Sequence, residues 1–459
     1  MHQHEITPHA GDTSRPGMKV ILVLLDGLGD RSYAELGNQT PLAAADTPNL
    51  DRLSALGANG LFHAAFPGEC LPSETAHYLM FGYDRSRFPG RGLLEAAGEG
   101  AALEEVDVAV LAHLAGVDFD KQGIPRLVHG RDDIPGGKKA LYSFYRRIAR
   151  YECSGLRFEL HHTRRNDGVL LIRGGASPDI SDSDPILKGA AVARIMPVSG
   201  SSEPAAAQKT AEALNYYLSW CYAQLVQSKK GRGANPAEKR PNFLVTQRAG
   251  RRIAQVPFKE KWGFTPALIA SGGVYKGLAA ELGFDFIPVK DSAHPGRDLA
   301  GRVDTALNDL SHDFIHVHTK VPDEQSHKGD PGTKKQAVEK LDAGLDGLVR
   351  ALGQKDDLLV VVTADHSTPS RSNTMVHSGE PVPLLMAGGA IRRDRVNRFD
   401  EISAAAGGLG YLQGGQLMYM ILNAADRAIL SGLRLGSNPR PYMPIDYPGF
   451  QLVPPAKTE

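Results

Sequence analysis

The sequence predicts an α/β protein with a mostly parallel sheet, flanked by helices on both faces and interrupted by a smaller inserted α+β domain. Short uninterrupted apolar runs, such as Leu358–Val362 and Lys19–Leu25, are typical of strands buried on both faces of a sheet. A helical pattern runs from Lys334 to Leu352, with leucines on one side that favour core packing. Between residues 106 and 257 the composition becomes richer in arginine and glycine.

These changes set the predicted domain boundaries. Residues 1–17 have no apolar core and predict a disordered tail. Residues 18–105 and 258–455 form the predicted sheet domain, and residues 106–257 form the inserted domain. The insert contains a predicted helix over 205–226 and ends near a polar linker at 228–241.

Composition excludes several classes of function. The 459-residue chain is 42% hydrophobic and carries 52 basic and 52 acidic residues, so no net field attracts nucleic acid or anionic membranes. Three widely spaced cysteines favour a reducing cytoplasm over a disulfide framework. No stretch reaches the roughly 18 apolar residues of a membrane span. We expect a cytoplasmic protein with a small-molecule partner, and the oligomeric state stays open.

Polar residues lie at or just beyond the ends of three predicted buried strands. Asp26 follows the first run, Asp365 and His366 follow Leu358–Val362, and Asp323 follows the run that ends at His318. The carboxyl ends of parallel strands meet at one edge of a sheet, so these side chains are expected to converge. Carboxylates and imidazoles bind divalent metals, although a turn aspartate or a helix cap would leave the same local pattern. The complete candidate set is Asp26, Asp323, His327, Asp365, His366 and His377.

Ser73 opens a predicted helix that runs from Pro72 to Met80. A serine in this position is either an N-cap or a nucleophile whose phosphorylated product would meet the free N–H groups of the helix end. The local sequence alone favours the cap. The stretch Gly90-Arg91-Gly92 predicts a flexible loop that either contacts phosphate or forms a turn.

Together these motifs resemble the alkaline phosphatase superfamily and, within it, the archaeal-type cofactor-independent phosphoglycerate mutases. The resemblance spans about residues 18 to 425. Beyond the metal motifs and Ser73, it is carried by the stretches 40–53, 81–84, 90–96, 181–185, 262–264 and 380–384.

The resemblance implies an alkaline-phosphatase-like fold with two divalent ions, manganese or zinc, with magnesium as a further option. One ion would be held by Asp26, Ser73, Asp365 and His366, and the other by Asp323, His327 and His377. Ser73 would be the nucleophile that forms a phosphoserine. The implied reaction is the glycolytic interconversion of 3-phosphoglycerate and 2-phosphoglycerate.

The resemblance also implies residues that act on the substrate. Lys276 and Arg131 would join Ser73 in catalysis, and the substrate would be bound by Arg131, Arg248, Arg91, Lys320 and His77. The family pattern is altered at Leu127-Val128, at Gln247–Gly250, at Gln325-Ser326 and at Glu74. Two alternatives therefore stay open: a phosphohydrolase or mutase acting on another small phosphate ester, and a metal-binding regulatory protein without turnover.

Overall fold

The computed structural model describes residues 17–130, 138–227, 241–372, 376–444 and 446–452. The predicted tail and linker lie almost entirely outside these ranges. The described residues fall into two compact units. The first unit is drawn from Met1–Arg85, Val256–Ser271 and Leu282–Glu459, and the second from Ser86–Gln255 and Gly272–Glu281.

Fourteen strands occur in the described part of the chain. In chain order they are β1 (Lys19–Leu25), β2 (Gly57–His63), β3 (Val108–Phe119), β4 (Pro125–His129), β5 (Arg150–Cys153), β6 (Leu156–His162), β7 (Asp167–Arg173), β8 (Phe243–Arg251), β9 (Pro266–Ala270), β10 (Asp285–Pro288), β11 (Phe314–Thr319), β12 (Leu358–Thr363), β13 (Val382–Gly388) and β14 (Gly410–Gln413).

Fourteen α-helices accompany these strands within the described ranges. In chain order they are α1 (Pro41–Ala44), α2 (Pro48–Ala55), α3 (Ser73–Met80), α4 (Arg91–Gly98), α5 (Lys138–Arg147), α6 (Pro204–Gln227), α7 (Phe258–Trp262), α8 (Gly273–Leu282), α9 (Pro295–Asn308), α10 (Val321–Ser326), α11 (Pro331–Ala343), α12 (Asp346–Leu352), α13 (Glu401–Ala404) and α14 (Gln416–Ala424).

The first unit is built on an eight-stranded sheet in the order β10-β9-β11-β1-β12-β13-β2-β14. Only β13 among these strands runs antiparallel to its neighbours. Strands β1 and β12 are buried almost completely, as their apolar runs predict for strands covered on both faces. The predicted α/β class with a mostly parallel sheet is confirmed.

The second unit contains a six-stranded antiparallel sheet. Strand β3 lies at its centre and pairs with β4, β7 and β8. Helices α5 and α6 pack on the sheet around a separate apolar core that includes Leu170, Phe158 and Tyr217. This arrangement is of the α+β kind.

The unit boundaries differ from the predicted domain boundaries. The second unit begins at Ser86 rather than at residue 106, and it also contains residues 272–281. Helix α4 belongs to it because this helix packs on β3 and β8. Glycine at position 92 permits that packing, since a Cβ there would lie 2.2 Å from the carbonyl oxygen of Ala109.

Two element predictions are wrong. The stretch Gly90-Arg91-Gly92 is not a loop, because helix α4 begins at Arg91 after Gly90, whose φ is 88°. The predicted single helix over 334–352 is divided into α11 and α12. The helix is interrupted at Gly344, where a Cβ would lie 2.6 Å from the carbonyl oxygen of Gly296.

No helix in the described ranges is both long enough and apolar enough to cross a membrane.

Candidate metal centre and nucleophile

The site lies at the carboxyl edge of the first unit's sheet, where three adjacent parallel strands end level with one another. Leu25 of β1 pairs with Thr319 of β11, and Leu24 pairs with Thr363 of β12. Each strand is followed by polar residues, so their side chains meet at one edge. Antiparallel β13 begins at this edge, so His377, five residues before the strand, lies at the same edge of the sheet.

Two groups of possible metal ligands form there. Asp26, Asp365 and His366 make the first group, and Asp323, His366 and His377 make the second. Within each group the ligand atoms lie within 4.8 Å of one another. His366 belongs to both groups, which places the two groups side by side.

Hydrogen bonds orient these ligands. Gly27 donates its N–H to Asp365 Oδ1 at 3.0 Å, and its φ of 67° is a conformation that glycine adopts readily. Thr368 Oγ1 donates to Asp323 Oδ1 at 2.9 Å. His377 Nδ1 lies 2.7 Å from the carbonyl oxygen of Leu71, which directs Nε2 toward Asp323 Oδ1 at 3.4 Å. Such outer hydrogen bonds are characteristic of metal ligands.

The electrostatics of the site favour a bound cation. Burial and the neighbouring charge of Asp26 raise the pKa of Asp365 above its usual range. Burial alone would also raise the pKa of Asp26, but the Lys320 charge and a hydrogen bond from His318 outweigh it and hold that pKa low. Three buried carboxylates and one lysine leave excess negative charge, so the donor set fits divalent metal ions.

Ser73 is the first residue of α3, and Pro72 rather than Ser73 occupies the N-cap position. The hydroxyl Oγ lies 3.1 Å from His366 Nε2 and 3.4 Å from Asp26 Oδ1. Lys320 Nζ lies 3.3 Å from the same oxygen. The structure therefore directs this hydroxyl toward the first ligand group, and the N-cap interpretation is wrong.

Other predicted residues are placed differently. His327 is 43% exposed and lies outside the two groups of ligands, although its Nε2 contacts Asp323 Oδ1 at 3.2 Å. Lys320 joins the cluster, with Nζ 3.2 Å from Asp323 Oδ2. His77 is fully buried, and its Nδ1 lies 2.7 Å from the carbonyl oxygen of Ser73. Its ring is therefore enclosed by protein, and its substrate contact stays a prediction.

Three further predicted residues belong to the second unit. Lys276 is exposed on α8, and Arg91 pairs with Glu95 at 3.1 Å within α4. Arg248 has a left-handed backbone, with φ of 55°, and its N–H donates to Asp182 Oδ1 at 2.7 Å. Arg131 lies outside the described residues.

Sequence reasoning missed His318. Its Nε2 lies 3.0 Å from Asp26 Oδ2, and its ring packs against that of His77 with centroids 5.2 Å apart. The signal was present in the alternation of His316 and His318, which places both side chains on one face of β11.

Comparison with known proteins identifies the family. A model of the metalloenzyme superfamily matches residues 18–424. The 2,3-bisphosphoglycerate-independent phosphoglycerate mutase 2 of Methanocaldococcus jannaschii is 40% identical over 439 residues, covering 94% of this chain and 98% of the relative. The chain belongs to the cofactor-independent phosphoglycerate mutase family. The resemblance predicted from the motifs is therefore confirmed, as is the prediction of an enzyme of this class.

Solved structures agree with membership of this family. A Pyrococcus horikoshii protein superimposes with a TM-score of 0.71 at 27% identity, covering 91% of this chain and all of that one. The cofactor-independent phosphoglycerate mutase from Thermoplasma acidophilum superimposes with a TM-score of 0.58, also at 27% identity. The second match covers 89% of this chain and all of that protein.

Proposed function

We propose that this protein interconverts 3-phosphoglycerate and 2-phosphoglycerate through a phosphoserine at Ser73. The observation that carries the proposal is the position of the Ser73 hydroxyl at the start of α3, beside His366, Asp26 and Lys320. Near-full-length similarity to the Methanocaldococcus jannaschii mutase supports the choice of substrate.

Two divalent ions are part of the proposal. Asp26, Ser73, Asp365 and His366 would hold one, and Asp323, His327 and His377 the other. When bound, such ions lower the pKa of a coordinated hydroxyl and neutralise charge on the transferred phosphoryl group. Imidazole and carboxylate ligands suit manganese or zinc, with magnesium as a further option.

Ser73 Oγ would attack the phosphorus atom in line as the bond from phosphorus to the 3-oxygen of the substrate breaks. The proton lost from the Ser73 hydroxyl would pass to the 3-oxygen, so that the glycerate leaves with a free 3-hydroxyl. After the glycerate reorients, its 2-hydroxyl would attack the phosphoserine as the bond from phosphorus to Ser73 Oγ breaks. The 2-hydroxyl proton would return to Ser73 Oγ, giving 2-phosphoglycerate and free Ser73. Lys320 Nζ lies 3.3 Å from Ser73 Oγ and would neutralise charge on the oxygens of the phosphoryl group.

The reaction requires groups that hold the glycerate carboxylate during reorientation. Arginine suits this task because its planar guanidinium can pair with a carboxylate in two places at once. Arg131 and Arg248 keep this proposed role on the strength of the sequence resemblance, with Lys276 and Arg91 as further contacts to the phosphorylated substrate. Free cysteines and the chain's composition support a cytoplasmic location.

One assay separates mutase from hydrolase. Purified protein with manganese is given 3-phosphoglycerate, and the formation of 2-phosphoglycerate and of inorganic phosphate is followed in parallel. We expect 2-phosphoglycerate to form much faster than phosphate, and a rapidly quenched sample to carry phosphate on Ser73 by mass spectrometry. Phosphate release without 2-phosphoglycerate would replace the proposal with the phosphohydrolase alternative.

Arg248→Lys tests the carboxylate contact. Lysine keeps the charge but loses the planar fork, so mutase activity should fall more than hydrolysis of an aryl phosphate, which has no carboxylate. Arg157→Lys is the matched control, because Arg157 is exposed on β6 and has no proposed role. An equal fall in both activities of Arg248→Lys would show that this arginine serves the phosphate or the fold instead.

A further inference from the structure

A lysine ammonium is buried next to the strand-end loops of the candidate metal centre. Lys334 of α11 is 0% exposed. Its Nζ donates to the carbonyl oxygens of Gly27 at 2.9 Å, Gly29 at 3.0 Å and Thr368 at 3.0 Å. It also pairs with Asp30 Oδ2 at 3.1 Å. A buried charge is costly unless it is paired and hydrogen-bonded, and here four oxygen atoms surround it.

These oxygens come from two loops. Gly27, Gly29 and Asp30 follow β1 in the loop that begins with Asp26, whereas Thr368 follows β12 in the loop that contains Asp365 and His366. Asp30 joins the same two loops a second time, because its Oδ2 accepts from Ser370 Oγ at 2.6 Å. The Lys334 ammonium therefore ties together the two loops that present the first ligand group.

The residues held by Lys334 also orient the ligands. Gly27, whose carbonyl oxygen accepts from Lys334, donates its N–H to Asp365 Oδ1. Thr368, whose carbonyl oxygen also accepts, donates its hydroxyl to Asp323 Oδ1 and lies 3.1 Å from His366 Nδ1. A shift of Gly27 would turn the Asp365 carboxylate of the first ligand group. A shift of Thr368 would turn the Asp323 carboxylate of the second group.

We propose that Lys334 is a positioning residue for the metal centre and sets the geometry of both ligand groups without touching metal or substrate. The inference rests on the proposed function, since it requires the two groups to bind metal. Without the ammonium, three buried carbonyl oxygens and the Asp30 carboxylate would lose a donor, and the loops would have to part or admit water.

The test compares Lys334→Met with Lys335→Met. Lys335 is the next residue on α11, and its partly exposed side chain pairs with Glu339 on the same helix. Apo forms of the wild type and of both variants are titrated with Co²⁺, and the dissociation constants and visible absorption spectra are recorded. We expect Lys334→Met to bind Co²⁺ about 10- to 100-fold more weakly, with an altered spectrum. Lys335→Met should match the wild type.

A second variant controls for misfolding of Lys334→Met. Lys334→Met combined with Asp30→Asn removes the carboxylate left unpaired in the single variant, and circular dichroism establishes that the chain is folded. Weak Co²⁺ binding by this folded variant supports the positioning role. Wild-type affinity and an unchanged spectrum in either folded Lys334 variant would overturn it. A wild-type protein that binds no stoichiometric Co²⁺ would overturn the proposed function, and this inference with it.

Discussion

Strand β12 of the first unit and strand β6 of the second unit differ in how many of their residues are buried. Every residue of β12 is buried, whereas β6 alternates between buried and exposed or partly exposed positions. A strand covered on both faces has no solvent-facing position for a charged side chain, so ionisable groups collect beyond its end. In the alternating strand, charged residues such as Arg157 lie along the exposed face.

This difference explains why strand-end residues alone predict a candidate site in the first unit, whereas the candidate residues of the second unit rest on the family resemblance. Asp26, Asp323 and Asp365 follow three neighbouring strands and meet at one edge. The arginines of the second unit are dispersed, and several pair with nearby acids. These pairs are Arg126 with Asp120, Arg251 with Glu203, and Arg252 with Glu281. Convergence after buried strands is therefore a stronger functional signal than a high content of arginine.

The largest expected effect comes from removing the proposed nucleophile. Ser73→Ala should lower turnover by about 10⁴-fold or more, because no other oxygen would accept the phosphoryl group in line. Circular dichroism should show an unchanged fold, since only one hydroxyl is lost. Thr75→Ala, two residues further along the same helix, is the control and should keep its activity. Mutase activity surviving in Ser73→Ala would exclude the phosphoserine route.

Chelation tests whether the two units differ in metal dependence. EDTA should remove two divalent ions per chain and abolish activity, with recovery when manganese is added back. At free metal about 1,000 times the dissociation constant, a bound ion adds about 4 kcal/mol to the free energy of unfolding. Hydrogen exchange should therefore quicken at the loops after β1 and β12 and stay unchanged in β3 and β7. Elemental analysis without stoichiometric metal would contradict the two-ion proposal.

A pair of threonine substitutions tests the difference in burial directly. Val361→Thr puts a hydroxyl into the fully buried strand β12, which should lower the free energy of unfolding by about 1 to 3 kcal/mol. Arg157→Thr changes an exposed position of β6 and should alter it by less than about 0.5 kcal/mol. Urea denaturation measures both values. Equal losses would mean that the two strands are covered alike.

The smallest effect concerns pH. Burial raises the pKa of Glu401 to about 7, above its ordinary value, although its carboxylate accepts from Thr40 Oγ1 at 2.7 Å. Because the folded protein keeps this proton longer than the unfolded chain, the associated stability is present below about pH 5 and lost as pH rises through about 7. Glu401→Gln mimics the protonated acid. The free energy of unfolding of this variant should therefore fall by roughly 1 to 2 kcal/mol less than that of the wild type as pH rises. Urea denaturation at several pH values checks this, and parallel curves for the two proteins would contradict it.

The sequence by itself determined the fold class, the family and most of the candidate metal ligands. Two local properties predicted the fold class and the ligands: apolar runs too short for ordinary helices, and aspartate and histidine shortly beyond them. The family came from the resemblance of the wider set of motifs. Both properties predict the site correctly because the ends of parallel strands lie at the same edge of the sheet. Ser73 is a partial case, since its local sequence favoured an N-cap and only the wider set of motifs indicated a nucleophile.

Tertiary structure alone decided the features that depend on contacts between distant segments. Helix α4 begins at Arg91 and approaches β3 closely, because glycine at position 92 leaves room for the β3 backbone. The contact of His318 with Asp26 depends on the pairing of β11 with β1, which the local sequence of β11 does not show. Lys334 continues the apolar stripe of its helix, yet its ammonium joins two loops about 300 and 30 residues away in sequence. Local periodicity places a side chain on a helix face, but the donors and acceptors it meets there come from other parts of the chain.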